Sequence, residues 1–472
     1  MEKLLGLIVV IKYRDGKVYA LNHSGLLSIK LLYNMPNQQV KIRNYNSEEH
    51  PGETSELQDI SVLGTIFGIR CYYKIMDIKP ITISTKKETK NDIVSMLKIA
   101  QKVIDDPEHS FTFSFNHCSF LDCSSISILG AVANLLSHLY DKERRNIFNR
   151  KGWEIKFQKE ISNIVDFILK DNFLRKEFNS QVENIKKLKE LDTSEAIKIV
   201  LTDTINTPKF MGIVAKSFVN HHAKKIGVMF DVNSMSNQLR NQLINCNFLS
   251  HYHADFVTPY PEGRYIGFRE HKKYNEEDNE KIINHIKNEW LMSEKIHLSP
   301  TLKEDIVSRI FELYQNAFGH GVSKVIKDGN HIDVVSCGSY DNNTKTISLC
   351  IVDLGGGICK NVLEYTRNFA HLSHIDNDSK ALNWALQRGN TTKTDSIVED
   401  MPRGVGLDIL KEFVSLNKGK LEIYTNECCA YVNESGEYEI EELDFNFTGT
   451  LALISINCQE DIVYSYRDEN YF

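Results

Sequence analysis

Residues Pro300 to Lys324, PTLKEDIVSRIFELYQNAFGHGVSK, constrain this chain more than any other stretch. Leu302, Ile306, Ile310, Leu313 and Ala317 recur at helical spacing, so one stripe of a helix belongs in a core. Either Ser299 ahead of Pro300, or Thr301 with Glu304 as a capping box, supplies the start signal. Glu312, Asn316 and His320 succeed one another four residues apart. At about 100° per residue each advances roughly 40° round the helix, so a carboxylate, an amide and an imidazole line up beside the apolar stripe. Alone, such a row reads as a solvated polar face. Its meaning depends on the residues downstream of it.

The 472 residues suffice for about three domains of ordinary size. A hydrophobic content of 42% with 25% charged residues describes a globular chain able to bury a core. The net charge of −7 removes any global electrostatic case for nucleic acid. The basic runs Lys142 to Arg145 and Lys224-Lys225 are short and read as solvated helix ends. The ten cysteines form no CxxC pair, and Cys428-Cys429 suits neither a disulfide framework nor zinc spacing, so a reduced, cytoplasmic compartment is expected. The longest apolar run, Leu4 to Ile11, is too short for a membrane span and lacks a signal cleavage site. The abundance of Lys, Asn and Ile points to an AT-rich, bacterial genome.

In chain order, residues 1–78 read as strand-rich, with strands at Lys17 to Leu21, Gln39 to Ile42 and Gly64 to Tyr73, and Pro80 marks a boundary. Residues 79–180 alternate strand and helix: strand Phe111 to Phe115, helix Ser125 to Tyr140, strand Trp153 to Phe157, helix Ile161 to Phe178. Residues 181–275 contain a charged helix from Gln181 to Leu191, then a helix at Phe210 to His221, a strand at Ile226 to Val232 and a helix at Ser234 to Leu249. WEIKF…LKDNFL and IGVMF…INCNFL share element order and a closing Asn-Phe-Leu, which suggests a partial internal repeat. Gly263 to Arg269 reads as a strand and 270–298 as polar helix. The last domain is expected over 276–472, and from 300 onward the expected order is helix, strands at 331–336 and 346–353, a long irregular segment, a helix at 405–416, and strands at 420–425 and 450–457. The fold class expected is therefore α/β, of the α+β kind.

Four stretches carry the chemistry. The row Glu312, Asn316, His320 is the first. Strand Ile347 to Val352 ends in Asp353-Leu354-Gly355-Gly356-Gly357, the second. Gln387 to Thr394 (QRGNTTKT) has the composition of a ligand-covering loop and leads to Arg403-Gly404-Val405-Gly406, glycines that open a helix and free its N–H groups for an anion. Phe447-Thr448-Gly449-Thr450 precedes the last strand, LALISI.

In order and spacing these stretches resemble the N, G1, G2 and G3 boxes of the GHKL superfamily, the Bergerat-fold ATPases of gyrase, histidine-kinase and mismatch-repair type. The resemblance covers roughly residues 290–460, and its specificity lies in four boxes in the right order. It implies a C-terminal α/β sandwich that binds ATP with Mg²⁺. By resemblance, Asn316 would hold Mg²⁺, Glu312 would polarise the attacking water or hydroxyl, and Asp353 would accept from the adenine amino group. Gly355 and Gly357 would admit the base, Thr392 and Lys393 would belong to the lid, Gly404 and Gly406 would cradle phosphate, and Gly449 with Thr450 would line the adenine. His320 stands where a histidine often comes after the N box. Asp408 replaces the usual third glycine of the G2 box. No transducer domain is expected after residue 460, and no histidine-bearing dimerisation helix is found.

Upstream, Phe120-Leu121-Asp122-Cys123-Ser124-Ser125-Ile126 is similar to the phosphorylatable loop of STAS (anti-anti-sigma) domains, which implies Ser124 as the phosphoacceptor; the alternative is a helix N-cap by Ser124 or Ser125. GKVYAL…LGTIFGI in the first 70 residues echoes GKLEIY…TGTLALI near the C-terminus, as a degenerate ATPase tail would. Together these imply a nucleotide-dependent switch with a protein partner, a homodimer among the options, in a bacterial regulatory, stress or defence system. The alternatives are a serine kinase of the anti-sigma type and an ATP-gated binding module without turnover.

Overall fold

A computed structural model describes residues 19–23, 26–34, 39–44, 54–56, 78–146, 226–252, 266–271, 276–292, 294–320, 334–390, 406–459 and 462–466, with single positions such as Thr392. The segments expected at 64–73, 153–157, 161–178, 181–191 and 210–221 lie outside the described residues or are touched only at single positions. So do Lys393 and Gly404, and with them one half of the expected repeat.

The chain divides into two compact units, residues 1–78 with 140–225, and residues 79–139 with 226–472. In the first unit the described residues form an antiparallel meander of β1 (Tyr19–His23), β2 (Leu26–Asn34), β3 (Gln39–Asn44) and β4 (Thr54–Glu56).

The second unit is built on two main sheets. Its first layer is three-stranded, in the order β5 (Ile78–Ser84), β6 (Ser110–His117), β7 (Gly227–Phe230), the last two parallel. The strand read at 226–232 is thus the neighbour of the strand read at 111–115, within a single sheet. Pro80, expected as a boundary, sits exposed within β5; proline is tolerated there because β5 is an edge strand. Between β5 and β6 runs α1 (Lys90–Ile104), a helix that the sequence reading missed. Its N-cap Thr89 accepts from Asp92 N–H, and Ile93, Met96, Leu97, Ala100, Val103 and Ile104 are buried at helical spacing. Helix α2 (Cys123–Asn146) comes after β6. Its Cys123–Tyr140 stretch is long and apolar enough to cross a membrane, yet 78% of it is buried within the protein. The helix expected at 234–249 is broken into α3 (Asn237–Asn245) and α4 (Phe248–Tyr252) by Asn247, whose φ of 62° is left-handed.

The second layer is a five-stranded antiparallel sheet in the order β12 (Lys420–Val432), β13 (Tyr438–Asn457), β11 (Thr346–Asp353), β10 (Val334–Asp341), β8 (Arg269–His271). Of the strand expected at 263–269, Arg269 enters this sheet as the start of β8, and 263–265 lie outside the described residues. The polar helix expected over 270–298 resolves into β8, α5 (Glu276–Asn284), a π-helical turn at His285–Trp290 and β9 (His297–Leu298).

The key helix forms as expected, as α6 (Pro300–His320), and Ser299 rather than Thr301 caps it: its Oγ accepts from Leu302 N–H at 3.1 Å. The segment expected to be irregular contains α7 (Ile358–Thr366) and α8 (Asp378–Leu386). Each is nine residues long and buries three, Cys359, Val362 and Thr366 in α7 and Ala381, Leu382 and Leu386 in α8, too few turns for a helical period to stand out in the sequence. Helix α9 (Gly406–Asn417) precedes β12. After β13, β14 (Val463–Tyr464) returns to pair in parallel with β9.

Alternation along the strands divides this sheet between two cores. Ile347, Leu349 and Ile351 face α6 and α9, meeting Ile306, Ile310 and Tyr314 of the one and Leu410, Phe413 and Val414 of the other. Cys350 and Val352 face the opposite way and share a core with Met96 and Ala100 of α1, Leu129 and Val132 of α2 and Phe248 of α4. Strand β11 is therefore buried on both faces, which is why ISLCIV is apolar but for Ser348, itself buried and hydrogen-bonded to Ser455. Each buried Leu or Ile in such a core contributes about 1.5–3 kcal/mol. The protein is a mixed α/β fold of α+β type.

Candidate nucleotide site

Strand β11 ends at Asp353, and the expected site residues of two of the four stretches, Asp353 to Gly357 and Gly449-Thr450, meet at that end of the strand. Asp353 is 7% exposed. Its Oδ1 accepts from Gly355 N–H at 2.9 Å, and the Thr450 hydroxyl also bonds its carboxyl. Burial pushes the carboxyl up to about 7, against the pull of those two hydrogen bonds. Gly355, Gly356 and Gly357 come next, all buried, and Gly357 at φ 84° is the N-cap of α7. A side chain at Gly357 would collide with the Asn426 amide.

Two residues that the sequence reading missed hold this loop. Thr425 Oγ1 accepts from Ile358 N–H at 2.8 Å and donates to Gly449 O at 3.0 Å. Asn426 Nδ2 donates to Gly356 O at 3.1 Å, and its Oδ1 accepts from Lys360 N–H at 3.3 Å. They can do so because β12 is irregular at this point: Thr425 pairs with Thr450, but Asn426 pairs with Phe447. Thr448 and Gly449 bulge out of β13 between those pairs. Asn426 takes a left-handed φ of 50°, which asparagine tolerates better than most residues. An asparagine after the strand residues LEIYT was the available signal. Gly449, at φ 144°, lies so close to the backbone carbonyl of Asp353 that a Cβ there would collide with it.

On α6, Glu312 is half-buried and its Oε2 is 3.6 Å from Arg309 Nη1, while Asn316 one turn on is exposed. His320 ends the helix. Gly406 begins α9, and Thr392 is half-buried at a bend. Burial raises the phenol of Tyr438, and the charge of Asp408, in the first turn of α9, adds to it; Tyr438 donates to Leu407 O at 3.2 Å. That anion thus lies against the β12–β13 hairpin. The elements bearing Asp353, Gly355, Gly357 and Thr450 meet at one end of the sheet, with α6 and α9 on the same face.

Ser124 lies elsewhere, in α2, and is fully buried. Its Oγ donates to Asp122 Oδ1 at 2.6 Å. The N-cap is Asp122, a correction to the capping expectation for Ser124 or Ser125: the same Oδ1 accepts from Ser125 N–H at 2.7 Å, and Oδ2 accepts from Glu88 N–H at 2.6 Å. Cys123 Sγ in turn donates to Glu88 Oε1 at 3.2 Å, and burial pushes the Glu88 carboxyl up to about 7. Among the described residues, no cluster of three or more His, Cys, Asp or Glu side chains could hold a metal.

No family model matches the chain. A stretch of 58 residues is 38% identical to the HTH-type transcriptional regulator PrtR of Pseudomonas aeruginosa, covering 11% of this chain and 23% of that protein. The chain thus spans less than a quarter of the length of the curated relative it matches.

Proposed function

We propose that residues 276–472 are a GHKL-type ATP-binding domain, and that the protein is a cytoplasmic Mg·ATP-dependent switch in a bacterial regulatory, stress or defence system. One observation carries the reading: a buried Asp353, bonded to Gly355 and Thr450, beside a left-handed Gly357 that leaves no room for a side chain. A carboxyl in such a place suits an amino donor on a flat ring, and glycines suit its close approach. Asn316, exposed on α6, offers the oxygen that a hard cation wants, and Glu312 one turn earlier is a general-base candidate for water. Mg²⁺, when bound, would neutralise phosphate charge. Thr392 is assigned to the lid and Gly406 to the phosphate side, with Lys393 and Gly404 joining them by sequence position. The likeness to a transcriptional regulator supports a regulatory setting, and a protein partner is part of the proposal.

Calorimetry with Mg·ATP tests the reading first, and absence of binding overturns it. Incubation with γ-labelled ATP then divides its forms. Free labelled phosphate is the expected product of slow transfer to water. Label on the protein would favour the serine-kinase form, and binding with neither product would favour an ATP-gated module.

A further inference from the structure

Helix α1 belongs to the upstream α/β layer, yet its outer face runs along β13. Lys90 pairs with Glu441, and Lys98 Nζ meets Asp444 Oδ2 at 2.7 Å. These exposed ion pairs hold little. The third contact differs in kind. Gln101 Oε1 accepts from Thr448 N–H at 2.7 Å, and Gln101 Nε2 donates to Thr448 Oγ1 at 3.2 Å and to Asp105 Oδ1 at 2.7 Å.

Thr448 is one of the two residues that bulge from β13, so its amide has left the ladder with β12. A half-buried amide without a partner is costly, and the Gln101 carboxamide, itself peptide-like, supplies the missing acceptor. The bulge is therefore pinned from both sides, by Gln101 at Thr448 N–H and by Thr425 at Gly449 O. What the bulge positions is the floor of the candidate site: Gly449 lies against the Asp353 carbonyl, and Thr450 pairs with Asp353 across β11 and β13.

We infer that Gln101 is a positioning residue for base recognition, through which the upstream α/β layer sets the nucleotide preference of the downstream site. The inference rests on the proposal that this site takes ATP. It makes the upstream layer part of the base-binding machinery through α1. Gln101 need not touch the nucleotide: it acts through Thr448 and Gly449 on the pair Asp353–Thr450.

The test compares ATP with ITP, which lacks the exocyclic amino group, by calorimetry on the full chain. Gln101→Ala should weaken ATP binding by about tenfold, the effect of one unmade hydrogen bond to a half-buried amide, while changing ITP binding far less. Gln101→Glu combined with Asp105→Asn keeps an acceptor for Thr448 N–H without setting two carboxylates side by side, and should restore the ATP preference. If Gln101→Ala does not fold, Gln101→Met keeps the length of the side chain, removes all three hydrogen bonds of the carboxamide and carries the same comparison. A folded variant with the wild-type ATP-to-ITP ratio, or one that loses both nucleotides equally, overturns the inference and leaves the ATP site standing. A wild-type chain that binds no ATP overturns both.

Discussion

Asp353 and Thr450 stand opposite one another as a Cα pair in the ladder between β11 and β13. Their side chains are hydrogen-bonded, and Gly355 N–H is the other partner of the carboxyl. Burial outweighs both bonds and leaves the carboxyl at about 7, so the group sits near the balance between its charged and neutral forms at neutral pH.

That balance fixes a sign. The folded-state pKa of about 7 exceeds the ordinary value of 3.8, so between those limits the native state holds a proton that the unfolded chain gives up. Stability contributed by this group is complete below the lower limit and lost as pH rises through the upper one. Asp353→Asn removes the charge, and should therefore melt no lower than wild type at pH 8, with the advantage shrinking toward pH 4. The same variant should bind ATP at least about tenfold more weakly, since a charge-assisted hydrogen bond is worth ~1.5–3 kcal/mol. Thermal melts at the two pH values and calorimetry at pH 8 check both halves. A folded variant with unchanged affinity would sink the adenine assignment.

Glu312 and Asn316 separate chemistry from binding. Glu312→Ala should retain ATP affinity and lower phosphate release by roughly 10²–10⁴, the usual contribution of a general base. Asn316→Ala should weaken binding in the presence of Mg²⁺ and much less in its absence. Steady-state phosphate release and titrations with and without the cation give the readouts. Wild-type turnover by Glu312→Ala would remove that residue from the mechanism while leaving the nucleotide site in place.

Gly357 and Gly389 share a φ of 84° but differ in surroundings: nothing lies within 4 Å of a Cβ at Gly389, whereas one at Gly357 meets Asn426. Alanine at Gly389 should cost only the left-handed strain, ~1–2 kcal/mol. Alanine at Gly357 should cost more, because Asn426 must release Gly356 O and Lys360 N–H as well. Urea unfolding ranks the two, and equal losses would mean that Asn426 does not clamp the loop.

At the start of α2, Asp122 satisfies Ser124 Oγ, Ser125 N–H and Glu88 N–H together. Asp122→Ala should destabilise by at least ~1 kcal/mol more than Ser124→Ala, which leaves the cap itself intact. Mass spectrometry after incubation with Mg·ATP should find Ser124 unmodified, since its hydroxyl is buried and already donating. A phosphopeptide at Ser124 would mean that this loop opens in solution.

Local pattern was enough for some of this architecture. The stripe Leu302, Ile306, Ile310 required a helix with one buried side, because a period near 3.6 cannot be satisfied by a strand. The run Ile347 to Val352 required a buried strand, and glycines after Asp353 and before α9 announced places where side chains would obstruct. The cap of α2 shows the limit of such reading: Asp122, Ser124 and Ser125 are all capping residues by type, and only the approach of Glu88 N–H and the exit of β6 select the aspartate.

What the sequence determined by itself, then, was which faces had to be buried and where the backbone had to bend. The tertiary structure decided what buries them. Cys350 and Val352 meet helices α1 and α2 from more than 200 residues upstream. Thr425, Asn426 and Gln101 hold the glycine segments through hydrogen bonds that cross the chain. Periodicity records the need of a residue for an apolar or polar neighbour, but a bulge in β13 and the helix that satisfies it are distant in sequence. Their match is set by sheet register and the packing of two layers, which no local pattern encodes.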